Sequence, residues 1–165
     1  MPRPRERESS SAAAALVAVA PLVTTWIARL LAASSPPLTV PQFLALRAIG
    51  RENVSAGELS RRAGVSEPAV SQLLAGLAGS GLVERSPLAS DRRRQELALS
   101  SAGAAALTSG EALLRERFVA LLGELPRPEV DALARALPRV ESLLSGSPPP
   151  RRHPHRPPRR KPPRR

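Results

Sequence analysis

Apolar residues recur along this chain mostly at helical spacing, and only once at the spacing of strands. Ala12–Leu31 is apolar and Ala-rich, with Leu16, Val19, Val23, Trp26, Ile27 and Leu30 three or four apart on one face. Pro21 lies inside that run and is expected to kink or restart the helix. Ser34–Pro37 ends it. Thr39 with Gln42 has the spacing of a capping box, and Phe43, Leu46 and Ile49 line the helix that follows, with Gly50 as its expected end. Ser55 with Glu58 repeats the capping pattern, Leu59 and Ala63 share a face, and Gly64 supplies a stop. Val65 is expected to anchor the turn. Ser66 then caps a second short helix with Glu67 and Pro68 in its first turn, where an acid and a proline are both favourable. Val70, Leu73, Leu74 and Leu77 form its buried face, and Gly79 and Gly81 close the segment.

The period then changes. Leu82–Glu84 reads as a short strand, Pro87–Ser90 as a turn, and Gln95–Leu99 alternates as a half-buried strand does, with Gln95, Leu97 and Leu99 on one side. Helical spacing returns in Ala102–Leu122, where Leu107, Leu114, Phe118 and Leu121 are the expected buried positions. Pro126 and Pro128 interrupt it. A last helix, Glu129–Leu144, carries Val130, Leu133, Leu137, Val140 and Leu144, with Pro138 expected to bend it. The fold class predicted is mainly α with a small β-hairpin wing: a winged helix-turn-helix flanked by helices that carry more apolar surface than a small winged helix can cover.

Two surfaces of this plan have the chemistry of duplex DNA recognition. The face of the second short helix opposite its apolar stripe is small and polar, comprising Ala69, Ser71, Gln72 and Ala75. A helix with such a face can lie deep in a major groove, and Gln can pair bidentately with adenine. Between the two strands stands Asp91-Arg92-Arg93-Arg94. A hairpin tip with this charge suits phosphate or minor-groove contact, and Asp91 can hold an arginine in one pose by a bidentate pair. The plainer alternatives are a helix hairpin in an all-α core and a solvated basic loop.

Composition narrows the field. There is no Cys among 165 residues, hence no disulfide, thiolate metal site or thiol switch. His153 and His155 are the only histidines and lie in a Pro-rich tail, which leaves no conventional His/Cys metal cluster and no His-based triad. No paired carboxylates, Gly-rich phosphate loop or nucleophile–base set is present, so an enzyme is not expected. Aromatic content of 2% makes the core aliphatic. The formal net charge of +11 is unevenly placed: residues 147–165 hold eight basic residues and no acid, so residues 1–146 are only mildly basic. Residues 147–165, Pro and Arg in the main, and the charged residues 1–10 are expected to be disordered. The tail either adds non-specific phosphate affinity or is simply solvated. A basic start before an apolar run is also the pattern of a secretory signal, but Glu6, Glu8, Pro21, Trp26 and Arg29 argue against export and against a membrane span.

The stretch Leu59–Arg85 fits L-x-x-x-x-G-V-S-x-x-x-V-S-x-L-x-x-x-L-x-x-x-G-L-V-x-R, and Asp91–Gly103 fits D-R-R-x-x-x-x-x-L-[TS]-x-x-G. Leu38–Gly50 (LTVPQFLALRAIG) fits L-T-x-x-Q-x-x-x-L-x-x-[IL]. On these motifs the chain resembles the MarR-type transcriptional regulators. The resemblance implies one domain over residues 11–146, with a DNA-binding lobe at about 38–103 and dimerisation helices at about 11–34 and 102–145. It implies that Ser66, Pro68, Ala69, Ser71 and Gln72 face the groove, that Arg93 enters the minor groove braced by Asp91, and that Arg92 and Arg94 meet phosphates. It further implies a cytoplasmic homodimer on a pseudo-palindromic operator, acting as a repressor. No cofactor is implied, and release follows binding of a small, often aromatic or phenolic, ligand. Gln72, Ala75 and Gly76 depart from many relatives, which carry more charge there. A protein-interaction module without specific DNA binding is the competing function.

Overall fold

The computed structural model describes residues 4–52, 54–88 and 91–146; within these, the side chains of residues 4, 5, 52, 62, 63, 85–88, 91–96 and 146 lie outside the description. Among the described residues, six helices and one hairpin follow in the order α1 (Pro4–Ala32), α2 (Val40–Glu52), α3 (Ala56–Ala63), α4 (Glu67–Gly79), β1 (Val83–Leu88), β2 (Asp91–Leu99), α5 (Ser101–Gly123) and α6 (Arg127–Gly146). The mainly α winged-helix plan read from the sequence is the observed one.

The core is aliphatic, as the composition requires. Leu31 of α1, Leu46 of α2, and Leu74 and Leu77 of α4 are its fully buried centre. Phe43 and Ile49 complete the inner face of α2, and Leu82, Val83 and Leu97 close the core from the hairpin. Each buried Leu contributes roughly 1.5–3 kcal/mol relative to exposure. Gly110 of α5 leaves room for the Phe43 ring of α2, since a Cβ there would stand 3.2 Å from it. Where α1 meets α5, Trp26 and Phe118 pack edge to face, with ring centroids 5.0 Å apart and planes at 80°. Such a pair contributes about 0.5–1.5 kcal/mol beyond its area. Glu111 of α5 reaches α2, 2.7 Å from Arg51 Nη2 and 3.8 Å from Arg47 Nε. These groups are solvated, so the pairs fix helix register more than they stabilise it.

The helix starts obey the capping chemistry of the sequence. The Thr39 N–H donates to Gln42 Oε1 (2.8 Å) and the Gln42 N–H to Thr39 Oγ1 (3.3 Å), a complete reciprocal box. The loop between α1 and α2 is tied by Ser34, whose buried Oγ lies 2.6 Å from Leu31 O and 2.8 Å from Pro36 O.

Several expectations are corrected. Helix α1 starts at Pro4, so residues 4–10 are helical, where charge suggests disorder. Arg and Glu are good helix formers, and these turns only have to extend an existing nucleus. The helix continues through Pro21 without restarting. Gly50 does not end α2, which runs on to Glu52. Its missing side chain instead admits Leu99, because a Cβ would lie 2.7 Å from Leu99 Cδ1. Leu121 is 52% exposed rather than buried. The strands extend beyond Leu82–Glu84 and Gln95–Leu99, and Pro87 pairs within β1. Proline is tolerated there because a two-stranded sheet has only edge strands. The predicted tail, residues 147–165, lies outside the described residues.

One unbroken helix also changes the reading of the N-terminus. Glu6–Ala32 is long and apolar enough to cross a membrane by length and composition, with a mean hydropathy of 1.8 in its best window. Its exposed apolar positions are Leu16 (61%), Val17, Val19 (49%) and Leu22. Leu16 and Val19 continue the same stripe that, further along α1, packs as Val23, Trp26, Ile27 and Leu30. Helix α6 repeats the situation: along its apolar stripe Leu133, Leu137 and Leu144 are all exposed.

Candidate nucleic-acid interface

Helix α3, its turn and α4 are held by three local devices. Ser55 Oγ accepts the Glu58 N–H at 3.3 Å and Ser66 Oγ accepts the Ala69 N–H at 3.4 Å, so each helix has its N-cap. Gly64 takes the left-handed conformation (φ 62°) that ends α3. The third device has no counterpart in the sequence reading: Ser60, itself buried, donates from Oγ to Val65 O at 2.7 Å. That bond spans the turn and replaces the anchor expected of Val65, whose side chain is 38% exposed. A serine five residues ahead of an apolar turn residue is the available signal, and it reads ambiguously because mid-helix serines usually bond their own preceding turn.

Helix α4 is divided sharply. Val70, Leu74 and Leu77 are buried and Leu73 is half-buried. Ser66, Pro68, Ala69, Ser71, Gln72, Ala75 and Gly76 are all exposed. The five residues predicted for the groove therefore share one solvent-facing surface, extended by Ala75 and Gly76. A Cβ at Gly76 would meet nothing within 4 Å, so no contact inside the protomer calls for glycine there. It costs the helix roughly 1 kcal/mol relative to Ala and keeps the surface low.

The hairpin places the other group. Val83 pairs with Leu99, and the ladder runs to Pro87 opposite Gln95, after which Leu88 faces Asp91. The register breaks at that step. Arg92, Arg93 and Arg94 are the three β2 residues between the paired Asp91 and Gln95, so they occupy an irregularity near the tip. Their side chains, and the Asp91 brace expected for Arg93, lie outside the described residues.

The base of the wing is fixed to both neighbouring helices through one motif. Ser100 Oγ donates to Gly81 O at 2.6 Å and accepts the Gly103 N–H at 3.0 Å, capping α5. The Ser100 N–H donates to Leu82 O at 3.2 Å, while the Leu82 N–H donates back to Leu77 O of α4 at 2.9 Å. Gly103 sits against this junction so closely that a Cβ would be 1.9 Å from Leu82 O. The Ser-x-x-Gly of the sequence is thus the joint at which α4, β2 and α5 meet. It sets where the wing stands relative to the exposed face of α4. Among the described residues, no three His, Cys, Asp or Glu side chains gather as a metal site.

A model of the MarR family matches residues 37–94. The HTH-type transcriptional repressor Rv2887 of Mycobacterium tuberculosis is 32% identical over 113 residues, which is 67% of this chain and 81% of the repressor. The crystal structure of that protein with p-aminosalicylic acid superposes with a TM-score of 0.65 at 25% identity, covering 78% of this chain and 97% of the other. FabT of Streptococcus pneumoniae, in complex with DNA, shares the fold with a TM-score of 0.68 at 17% identity, over 83% of this chain and 97% of that one. Curated relatives are transcriptional regulators, a role without catalysis. Capped helix-turn-helix, Arg-bearing wing and Ser-x-x-Gly joint agree with these likenesses, and the chain belongs to the MarR family of winged helix-turn-helix transcriptional regulators.

Proposed function

We propose that this chain is a cytoplasmic repressor that binds a pseudo-palindromic operator as a homodimer and is released by a small aromatic ligand. The observation that carries the reading is the exposed surface of α4. Seven positions on successive turns from Ser66 to Gly76 are small or polar and face solvent, beside a wing held rigidly by Ser100 and Gly103. Such a helix can approach base edges closely, with Ser71 and Gln72 as the hydrogen-bonding side chains. Arg93 reads the neighbouring minor groove, with Asp91 as its brace, while Arg92 and Arg94 hold phosphates.

The dimer follows from the apolar stripes of α1 and α6. Leu16 and Val19 on one, and Leu133, Leu137 and Leu144 on the other, are exposed in the single protomer. A second copy covers them and accounts for α1 without a membrane. Two-fold pairing sets two α4 helices about one DNA turn apart, roughly 10 base pairs centre to centre. An aromatic carboxylic acid is the effector class, supported by the p-aminosalicylic acid bound to the M. tuberculosis relative. No cofactor is needed: the ligand acts by binding the two spacings of the DNA-binding lobes unequally.

The competing reading, a module that works through protein contacts, is favoured by one feature: α4 carries Glu67 and no Lys or Arg. Arg93→Ala separates the two. In a gel shift on the DNA upstream of its own gene, the parent gives a discrete complex. The variant loses about 1–3 kcal/mol of binding, or roughly 5- to 150-fold in affinity. No discrete complex from the parent at low salt supports the module instead.

A further inference from the structure

The first turn of α4 leaves one side chain for reading a base, and it is an acid. A recognition helix presents the residues at its N-terminal end to base edges. In α4 these are Ser66, Glu67, Pro68 and Ala69, all exposed. Ser66 Oγ is occupied as the cap, accepting the Ala69 N–H at 3.4 Å. Pro68 and Ala69 have no side-chain donor or acceptor. Glu67 is what remains, one turn before Ser71 on the same side of the helix.

Its charge runs against the electrostatics of the duplex. Glu67 is the single charge on α4. From Ser55 to Leu99 six arginines stand against five acids, so the lobe has little positive charge to offset it. A carboxylate carried into a groove is repelled by the phosphates on either side and loses water. An acid in the first turn does suit the positive end of the helix, but at an exposed position that effect is small and screened by salt. A hydrogen bond from the DNA offsets the remainder. An ionised carboxylate can only accept. In the major groove guanine shows two acceptors, thymine an acceptor and a methyl group, and adenine a donor beside its own N7 acceptor. Cytosine shows the N4 donor alone, and it is the base that suits a carboxylate.

We propose that Glu67 is a specificity-determining residue that selects cytosine in each half-site by accepting a hydrogen bond from N4. The inference rests on the operator reading above and adds the identity of one base to it. Ser71 and Gln72 keep their parts.

The test uses the full chain. Bound sequences are selected from a random pool of duplexes with the parent, Glu67→Gln and Glu67→Ala. Affinities are then measured on the selected site, on the same duplex with the cytosine replaced by thymine, and on a duplex of arbitrary sequence. The parent should enrich cytosine at one position of each half-site, other than the position that Gln72→Ala affects. Thymine there should weaken its binding by about 5- to 150-fold. Glu67→Gln should move the preference at that position to adenine, and Glu67→Ala should abolish it. Both variants should bind the arbitrary duplex at least as tightly as the parent, because a negative charge has left the interface. A role confined to the fold of α4 predicts equal weakening on every duplex with the base preference intact, and that result overturns the proposal. A repeat that parent and variants enrich identically also overturns it, while leaving the operator reading in place. A parent that enriches no common sequence overturns both.

Discussion

Gly103→Val lowers the melting temperature by roughly 6–12 °C. The first side-chain atom alone would stand 1.9 Å from Leu82 O, inside any tolerable contact. Either α5 moves away or the Leu82 carbonyl turns, and both pull on the hydrogen bonds of Ser100 to Gly81 and Gly103. Overpacking costs about 1–3 kcal/mol, and a lost N-cap about 1 more. For a chain of this size about 3 kcal/mol corresponds to that shift in melting temperature, at roughly 2–4 °C per kcal/mol. Gly76→Ala is the matched comparison, since its new Cβ meets nothing within 4 Å. It is expected to leave stability unchanged or raise it by up to about 1 kcal/mol. If both variants melt with the parent, the joint at Ser100 and Gly103 does not hold the wing.

The second large effect is on assembly. Leu16→Asp combined with Val19→Asp puts two carboxylates on the exposed part of the α1 stripe. Neither residue lies in the buried core, so the protomer should keep its fold. Light scattering after gel filtration should then show a monomer for the variant and a dimer for the parent at the same concentration. DNA affinity falls by about 100-fold or more, because the second half-site is no longer bound intramolecularly. A variant that remains dimeric would move the interface off α1.

What the sequence reveals of this fold, and what it hides, follows from the range of the forces involved. Caps and stops are local, so Thr39 with Gln42, Ser55, Gly64 and Ser66 are legible from spacing alone: the three caps accept their helix N–H groups and Gly64 takes a left-handed φ. The buried face of α4 is legible because a period of 3.6 needs only one helix. Gly50 reads as a stop because its actual reason is Leu99, forty-nine positions away, and no local pattern carries that. The Ser60 bond to Val65 escapes a sequence reading for a related reason: one buried hydroxyl leaves no periodic trace. Helix at residues 4–10 is hidden by charge, which opposes burial but not helix formation. The set predicted to face the groove comes from the solvent side of a readable helix, and those five residues share one exposed surface of α4. The wing arginines are legible as a motif, and the register shows where their backbone lies, in the break between Pro87 and Leu88.

Selection of bound sequences from a random pool of duplexes by the full-length protein addresses the central claim most directly. Two α4 faces on one dimer should enrich an inverted repeat whose half-site centres lie roughly 10 base pairs apart. Gln72→Ala should weaken preference within each half-site while leaving the spacing intact. A pool that emerges with no common sequence, or with a single unrepeated site, would contradict the account.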